Sequence, residues 1–147
     1  MPSNPPKNMP RMVPQLWYDD PGAAIEWLAK VFGFEKTHAF EAPDGRVMHA
    51  EMKYLASVIM LGPAALEEQK NSPRTHNAVT QSLYVYVDDV DAHCRHARAA
   101  GATIVFEPQD MFWGDRIYYA QDCEGHHWNF AQHVRDIPPE EWTPPEG

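Results

Sequence analysis

The feature that most constrains this chain is that it states nearly the same pattern twice. Leu16-Trp17-Tyr18-Asp19-Asp20 matches Val85-Tyr86-Val87-Asp88-Asp89 position by position at one constant offset, and each segment runs into a helical pattern closed by a glycine, Gly33 or Gly101. A repeat of supersecondary structure within 147 residues implies two pseudo-symmetric modules that share the work of burying a core.

Each module spells βαβββ. In the first, a strand over 12–18 leads to Asp20, a residue type that caps helix N-termini, and to Pro21 at the first helical position, where its missing N–H costs nothing. Ala24, Ile25, Leu28 and Phe32 recur at helical spacing until Gly33, which can take the left-handed conformation that ends a helix. Strands over 37–40, 47–54 and 58–61 follow, the first two joined by a Pro43-Asp44-Gly45 turn. In the second, the strand 82–87, a helix capped by Asp89 and running through Ala100 to Gly101, and strands over 102–106, 117–121 and 127–132 repeat the order.

Residues 1–10 and 138–147 are proline-rich and read as flexible tails around one domain over 11–137. Within it, module one covers 11–62 and module two covers 81–137. The connector 63–80 has charges, prolines and no clean period.

Composition closes off several functions. A net charge of −9 with no Lys/Arg cluster argues against nucleic acid, because binding the phosphate backbone needs a basic face to displace counterions. No apolar run approaches the ~20 residues of a membrane-spanning helix, and the polar start lacks the order of a secretory signal. The expected setting is soluble and cytoplasmic, where Cys94 and Cys123, too far apart for a close zinc or dithiol motif, remain unpaired thiols.

Four stretches carry a family resemblance: Pro14-Gln15-Leu16-Trp17-Tyr18-Asp19-Asp20; Ala24-Ile25-Glu26-Trp27-Leu28 with Phe32-Gly33-Phe34; Val87-Asp88-Asp89-Val90-Asp91; and Gly114-Asp115-Arg116 through Trp128. They resemble the vicinal oxygen chelate proteins, the glyoxalase, bleomycin-resistance and dioxygenase superfamily, in its PhnB-like branch. The last stretch holds Asp122-Cys123-Glu124-Gly125-His126, where the family usually has Asp-Pro-Glu-Gly-His. Its chemistry is that of a tight turn: Asp122 accepts local backbone bonds and Gly125 takes positive φ, while Cys123 in place of proline loosens the φ restraint and leaves a thiol. The resemblance implies an α+β fold, two tandem βαβββ modules forming a cavity between mixed sheets, and a homodimer whose cavities both chains complete.

Metal-dependent members place His, Gln or Glu at four equivalent strand positions. Carried onto this chain, those positions are Val13, Met60, Ser82 and Asn129, none a strong divalent-metal ligand, so neither a metal nor another cofactor is expected. Strand alternation assigns Leu16, Tyr18, Ile59, Leu61, Leu83, Val85, Val87, Trp128 and Phe130 to the helix-covered faces, with Met48, Ala50 and Met52 on the third strand. The opposite set, Gln15, Trp17, Met60, Ser82, Tyr84, Tyr86, His127 and Asn129, then lines the cavity and suits a flat aromatic ligand. The resemblance, through the family's Gly-x-Arg-x-Tyr pattern at Gly114, Arg116 and Tyr118, implies that Trp113, Arg116 and Tyr118 belong to the same wall or its lid. Arg116 has two readings, a clamp for an anionic group or a structural ion pair with Glu51 or an aspartate.

His49 and Glu51 face the same way and form the one inward acid–base pair. They can move a proton α to a carbonyl if both reach one substrate atom, or form a buried structural contact in which the carboxylate meets Arg116 or a tyrosine. His93 and His96 read as solvent-facing on the second helix, and His38, His76, His126 and His133 as edge, loop or turn residues without chemistry. Two functions follow: a metal-free binder of a flat aromatic small molecule, of the bleomycin- and mitomycin-resistance type that sequesters antibiotics, or a glyoxalase-like lyase, isomerase or dioxygenase, metal-dependent or using His49 and Glu51.

Overall fold

The computed structural model describes residues 2–146. Met1 and Gly147, the outermost positions of the two expected tails, lie outside the described residues. The chain divides into two compact units, Met1–Ala78 and Val79–Gly147. Each contains one βαβββ module and one four-stranded mixed sheet, so the α+β fold of two tandem modules is as the repeat demands.

In the first unit β1 (Gln15–Tyr18), α1 (Pro21–Phe32), β2 (Glu35–Glu41), β3 (Val47–Tyr54) and β4 (Ser57–Pro63) give the strand order β1-β4-β3-β2. β1 and β2 are the two edges, so the helix joining them must cross one face of the sheet. The antiparallel run β2-β3-β4 then returns to lay β4 parallel to β1, with Gln15 opposite Met60 and Trp17 opposite Gly62. Asp20 caps α1 by accepting from the Ala23 N–H at 3.0 Å, and Gly33 closes it at φ +85°. Leu16, Tyr18, Ala50, Met52, Ile59 and Leu61 are buried, as are Ala24, Ile25, Leu28, Val31 and Phe32 of the helix. Met48 departs from its expected place under the helix and is exposed near the start of β3, where pairing with β2 shifts register. The connector is less featureless than it reads. A 3₁₀ turn over Leu66–Glu68 and the short α2 (Pro73–His76), capped by Ser72, fold back so that Thr75 and Arg74 donate to Asp19.

The second unit repeats this with β5 (Ser82–Tyr86), α3 (Val90–Ala99), β6 (Thr103–Asp110), β7 (Asp115–Gln121) and β8 (His127–His133), in the order β5-β8-β7-β6. Asp89 caps α3 through the Ala92 N–H at 3.0 Å. β8 is parallel to β5 and antiparallel to β7, with Tyr84 opposite Asn129, Asn129 opposite Tyr119, and His133 opposite Asp115. Val90, Cys94 and Ala97 of the helix and Tyr118, Ala120, Trp128 and Phe130 of the sheet are buried, whereas Leu83 and Val85 on the edge strand are half-covered. The turn ahead of β8 is held by Asp122, which accepts from the N–H groups of Glu124 and His126 and from the Trp128 indole, each at 3.0 Å. Gly125 takes φ +94° there, and Cys123 sits exposed at the turn. Among the described residues no helix is long and apolar enough to cross a membrane.

Candidate functional site

Asp115 opens β7 with its side chain on the face turned away from α3, and it is buried with only 3% of its surface exposed. A carboxylate so placed must be hydrogen-bonded or neutral. Three side chains converge on it. The Tyr84 hydroxyl donates to Oδ2 at 2.6 Å, the Tyr86 hydroxyl donates to the same oxygen at 2.9 Å, and His133 Nδ1 meets Oδ1 at 2.8 Å. His133 also reaches Asp136 through Nε2 at 2.7 Å. Trp113, in the loop before β7, donates its indole N–H to the Tyr84 oxygen at 3.3 Å.

Burial alone would raise the Asp115 carboxyl, but the bonds from Tyr84, His133 and Tyr86 outweigh it and hold the group below the ordinary aspartate range. The phenols move the other way. Burial and the bond to Asp115 push Tyr84 up, and the bond to Asp115 followed by burial pushes Tyr86 up, so both stay protonated well into alkaline solution. His133 is raised by its bonds to Asp136 and Asp115.

The cluster thus fixes two phenol rings by their far ends while leaving their bodies open. Tyr84 is 44% and Tyr86 56% exposed, with ring centroids 5.5 Å apart in an edge-to-face arrangement. Gly114 sets the geometry of the loop feeding Asp115. It has φ +104°, its carbonyl accepts from the Val134 and Arg135 N–H groups, and a Cβ built on it would fall 2.1 Å from the Arg135 carbonyl oxygen. Only glycine fits there.

Farther along the same face, Asn129 donates to the Ser82 hydroxyl at 3.2 Å. Tyr119 and His127 form a close phenol–imidazole contact, with Gln121 on the other ring nitrogen. Parity along β7 corrects two expectations. Arg116 and Tyr118 alternate with Asp115 and therefore point to the helix side. Tyr118 is fully buried against α3, bonded to His93 Nδ1 at 2.6 Å and stacked on Phe130, so it is core and not wall. Arg116 contacts Asp91 and Asp110, the ion-pair reading with an aspartate, and borders a shallow cleft of about 310 Å³ on the helix side. His93, expected in solvent, is half-buried, with its ring 4.4 Å from that of Phe130. His133 and Asp115 are the participants that sequence reasoning missed.

In the first unit the residues expected on one face do meet, in pairs. His49 Nε2 lies 3.0 Å from Glu51 Oε2, so the carboxylate's partner is this imidazole and not Arg116 or a tyrosine. The Gln15 amide points to Met60 Sδ at 3.7 Å. Trp17 has Lys70 Nζ 4.9 Å above its ring centroid, and a Cβ at Gly62 would meet that ring at 2.8 Å.

The metal positions implied by the resemblance hold a valine, a thioether engaged by Gln15, a hydroxyl and an amide bonded to that hydroxyl. That donor set does not fit a divalent ion. Among the described residues, no three His, Cys, Asp or Glu side chains are grouped to hold one elsewhere.

Comparison with known proteins agrees with this scaffold. A sequence model of the Glyoxalase/Bleomycin resistance protein/Dioxygenase superfamily matches residues 12–130. An uncharacterized protein of Mycobacterium tuberculosis is 32% identical over 131 residues, spanning 87% of this chain and 77% of its own length. Among solved structures, TioX from Micromonospora sp. ML1 has a TM-score of 0.68 at 35% identity, over 85% of this chain and 99% of TioX. TnmS3 from Streptomyces sp. CB03234, described as an antibiotic binding protein, has a TM-score of 0.65 at 19% identity, over 85% and 98% respectively. At that identity the likeness is one of fold.

Proposed function

The chain belongs to the glyoxalase/bleomycin resistance protein/dioxygenase superfamily, and from that premise we propose that it binds a flat aromatic small molecule, without a metal ion, against Tyr84, Tyr86 and Trp113. The observation that carries this reading is the pair of open phenol rings anchored on one buried carboxylate. Rings held at their hydroxyl ends keep their faces available for stacking and lose little entropy when a ligand arrives. A fold shared with an antibiotic binding protein is compatible with sequestering a drug, and antibiotic sequestration in the cytoplasm by a homodimer completes the proposal.

Titration of the purified protein with a panel of planar aromatics, quinones and heteroaromatic antibiotics among them, is expected to quench tryptophan emission through Trp113 and to raise the melting temperature. Dialysis against a chelator leaves the titration unchanged. Silence across the whole panel, or binding lost on chelation and restored by one equivalent of a divalent ion, refutes the reading. Sedimentation velocity checks the dimer.

The His49–Glu51 contact supports a second reading, an enzyme of the lyase, isomerase or dioxygenase kind using the pair for proton transfer. Exchange of α-protons of a ketone or thiohemiacetal into deuterated water, abolished in H49Q, is its test. An unchanged exchange rate in that variant removes it.

A further inference from the structure

A phenol has one proton to donate and lone pairs to accept with. Both phenols of the second unit commit that proton to the same oxygen of Asp115. What they turn outward is therefore acceptor only. The Tyr84 oxygen already accepts the Trp113 indole N–H at 3.3 Å, while the Tyr86 oxygen, on the more exposed ring, has no such donor upon it among the described residues. The other donor nearby, His133, is spent on Asp115 and Asp136.

Among the hydrogen-bonded groups the carboxylates outnumber the cations. Two carboxylates, Asp115 and Asp136, stand against a single imidazole, so the cluster is net negative whether or not His133 is protonated. Arg116, next to Asp115 in sequence, faces the helix and is engaged by Asp91 and Asp110, while Arg135, next to Asp136, is an exposed residue outside these bonds. Two tyrosine faces beside this charge add the attraction of aromatic quadrupoles for a cation.

We propose that the ligand of this face is an arylalkylamine or an aryl amidine in its protonated form, its ring stacked on Tyr86 and its N–H directed at the Tyr86 hydroxyl oxygen. This rests on the binding reading above and narrows its ligand class. An anionic aromatic finds the protons of Tyr84, Tyr86 and His133 committed and meets a carboxylate behind the phenols. A neutral aromatic gains the stacking alone.

The experiment compares three naphthalenes of matched shape by calorimetry at pH 7: 2-(aminomethyl)naphthalene as the ammonium, 2-ethylnaphthalene and 2-naphthoate. The ammonium is expected to bind about 10-fold more tightly than the ethyl compound, the scale of one charge-assisted bond plus a cation–π contact, with the carboxylate weakest. Tyr86→Phe removes the acceptor and keeps the ring, and the ammonium-to-ethyl ratio is expected to fall to about 2. Because the ratio is internal to each protein, a general loss of affinity does not imitate the effect. Equal binding of the ammonium and ethyl compounds overturns the charge preference, and a ratio that survives Tyr86→Phe overturns the placement of the N–H on the Tyr86 oxygen; either result leaves the aromatic binder standing. Failure of all three to bind overturns both.

Discussion

The two sheets share one plan and differ in how the face away from the helix is wired. In the first unit Gln15, Met60, Glu51 and His38 lie across neighbouring strands in register, and the polar groups close in pairs: Gln15 with Met60, Glu51 with His49. In the second unit the equivalent row runs Tyr84, Asn129, Tyr119, and the bonds from Tyr84, Tyr86 and His133 converge on one buried carboxylate. A pair half-open to water is screened and holds little. A carboxylate out of water with three donors fixes every side chain that reaches it. The repeat thus supplies two frames, and the second anchors two phenol rings on one buried carboxylate before a ligand arrives.

The largest expected effect breaks the comparison at its glycines. Gly114→Ala forces positive φ on a residue with a Cβ and drives that carbon into the Arg135 carbonyl, both backbone features that cannot swing aside. It should cost about 3 kcal/mol or more and detach the loop carrying Trp113 and Asp115, read as a fall in urea midpoint and loss of aromatic binding. Gly62→Ala in the first unit meets a side-chain ring, which can give, and should cost only about 1 kcal/mol. Equal losses would mean that the two frames are equally rigid.

Next comes the wiring itself. Asp115→Ala removes the common acceptor of three side chains and is expected to cost about 2 kcal/mol, moderated because the phenols it releases can turn to water. Glu51→Ala removes one acceptor from one half-buried imidazole and should cost about 0.5 kcal/mol or less. Chemical denaturation of both variants decides, and a Glu51 loss as large as that of Asp115 would erase the contrast drawn between the units.

A smaller effect follows pH. The folded state raises His133, so its contribution is fully present below the free histidine value of about 6.5 and is lost as pH rises through the raised one. Asp115 is lowered, so its contribution is present above the free aspartate value of about 3.9 and is lost as pH falls through the depressed one. The pair is strongest between those two folded-state values. Melting temperature should therefore decline on the alkaline side, and His133→Gln should flatten that limb and, by weakening the hold on Asp115, shift the acid limb to a lesser degree. An unaltered alkaline limb in the variant places the titration elsewhere.

Much of this could be read in the sequence, for reasons visible residue by residue. Asp20 and Asp89 act as caps because a short carboxylate at a helix start has few other uses, and the buried alternation of Leu16 with Tyr18 and of Trp128 with Phe130 follows from the pleat. Asp115 escaped because apolar alternation becomes visible only at Ile117, whereas the strand begins two residues earlier. Counting from Asp115 puts Asp115 and Tyr119 on one side and Arg116 and Tyr118 on the other, which separates the trio Trp113, Arg116 and Tyr118 that the family's Gly-x-Arg-x-Tyr pattern groups. His133 shares parity with His127 and Asn129, a signal available once β8 is extended by one residue. His93 stands three after Val90 and four before Ala97, on the buried stripe of α3. What no pattern supplied was convergence, since the partners of Asp115 come from two other strands.

The smallest expected effect sharpens the contrast between the two aromatic surfaces. Trp17 and Tyr86 occupy matching places in the repeat, yet Trp17 has an ammonium over one face and the Gly62 backbone against its edge, while Tyr86 is 56% exposed. The Lys70 contact occupies the surface that a stacked ligand would need. Lys70→Ala should therefore cost about 0.5 kcal/mol of stability, the size of an exposed cation–π contact, while unblocking the Trp17 ring. Acrylamide quenching measures that unblocking directly in a protein whose other tryptophans are replaced by phenylalanine: the quenching constant of Trp17 should rise in the Lys70→Ala background. If it stays fixed, the lysine is not what closes the first unit's aromatic surface, and the difference between the units lies in the crowding at Gly62 alone.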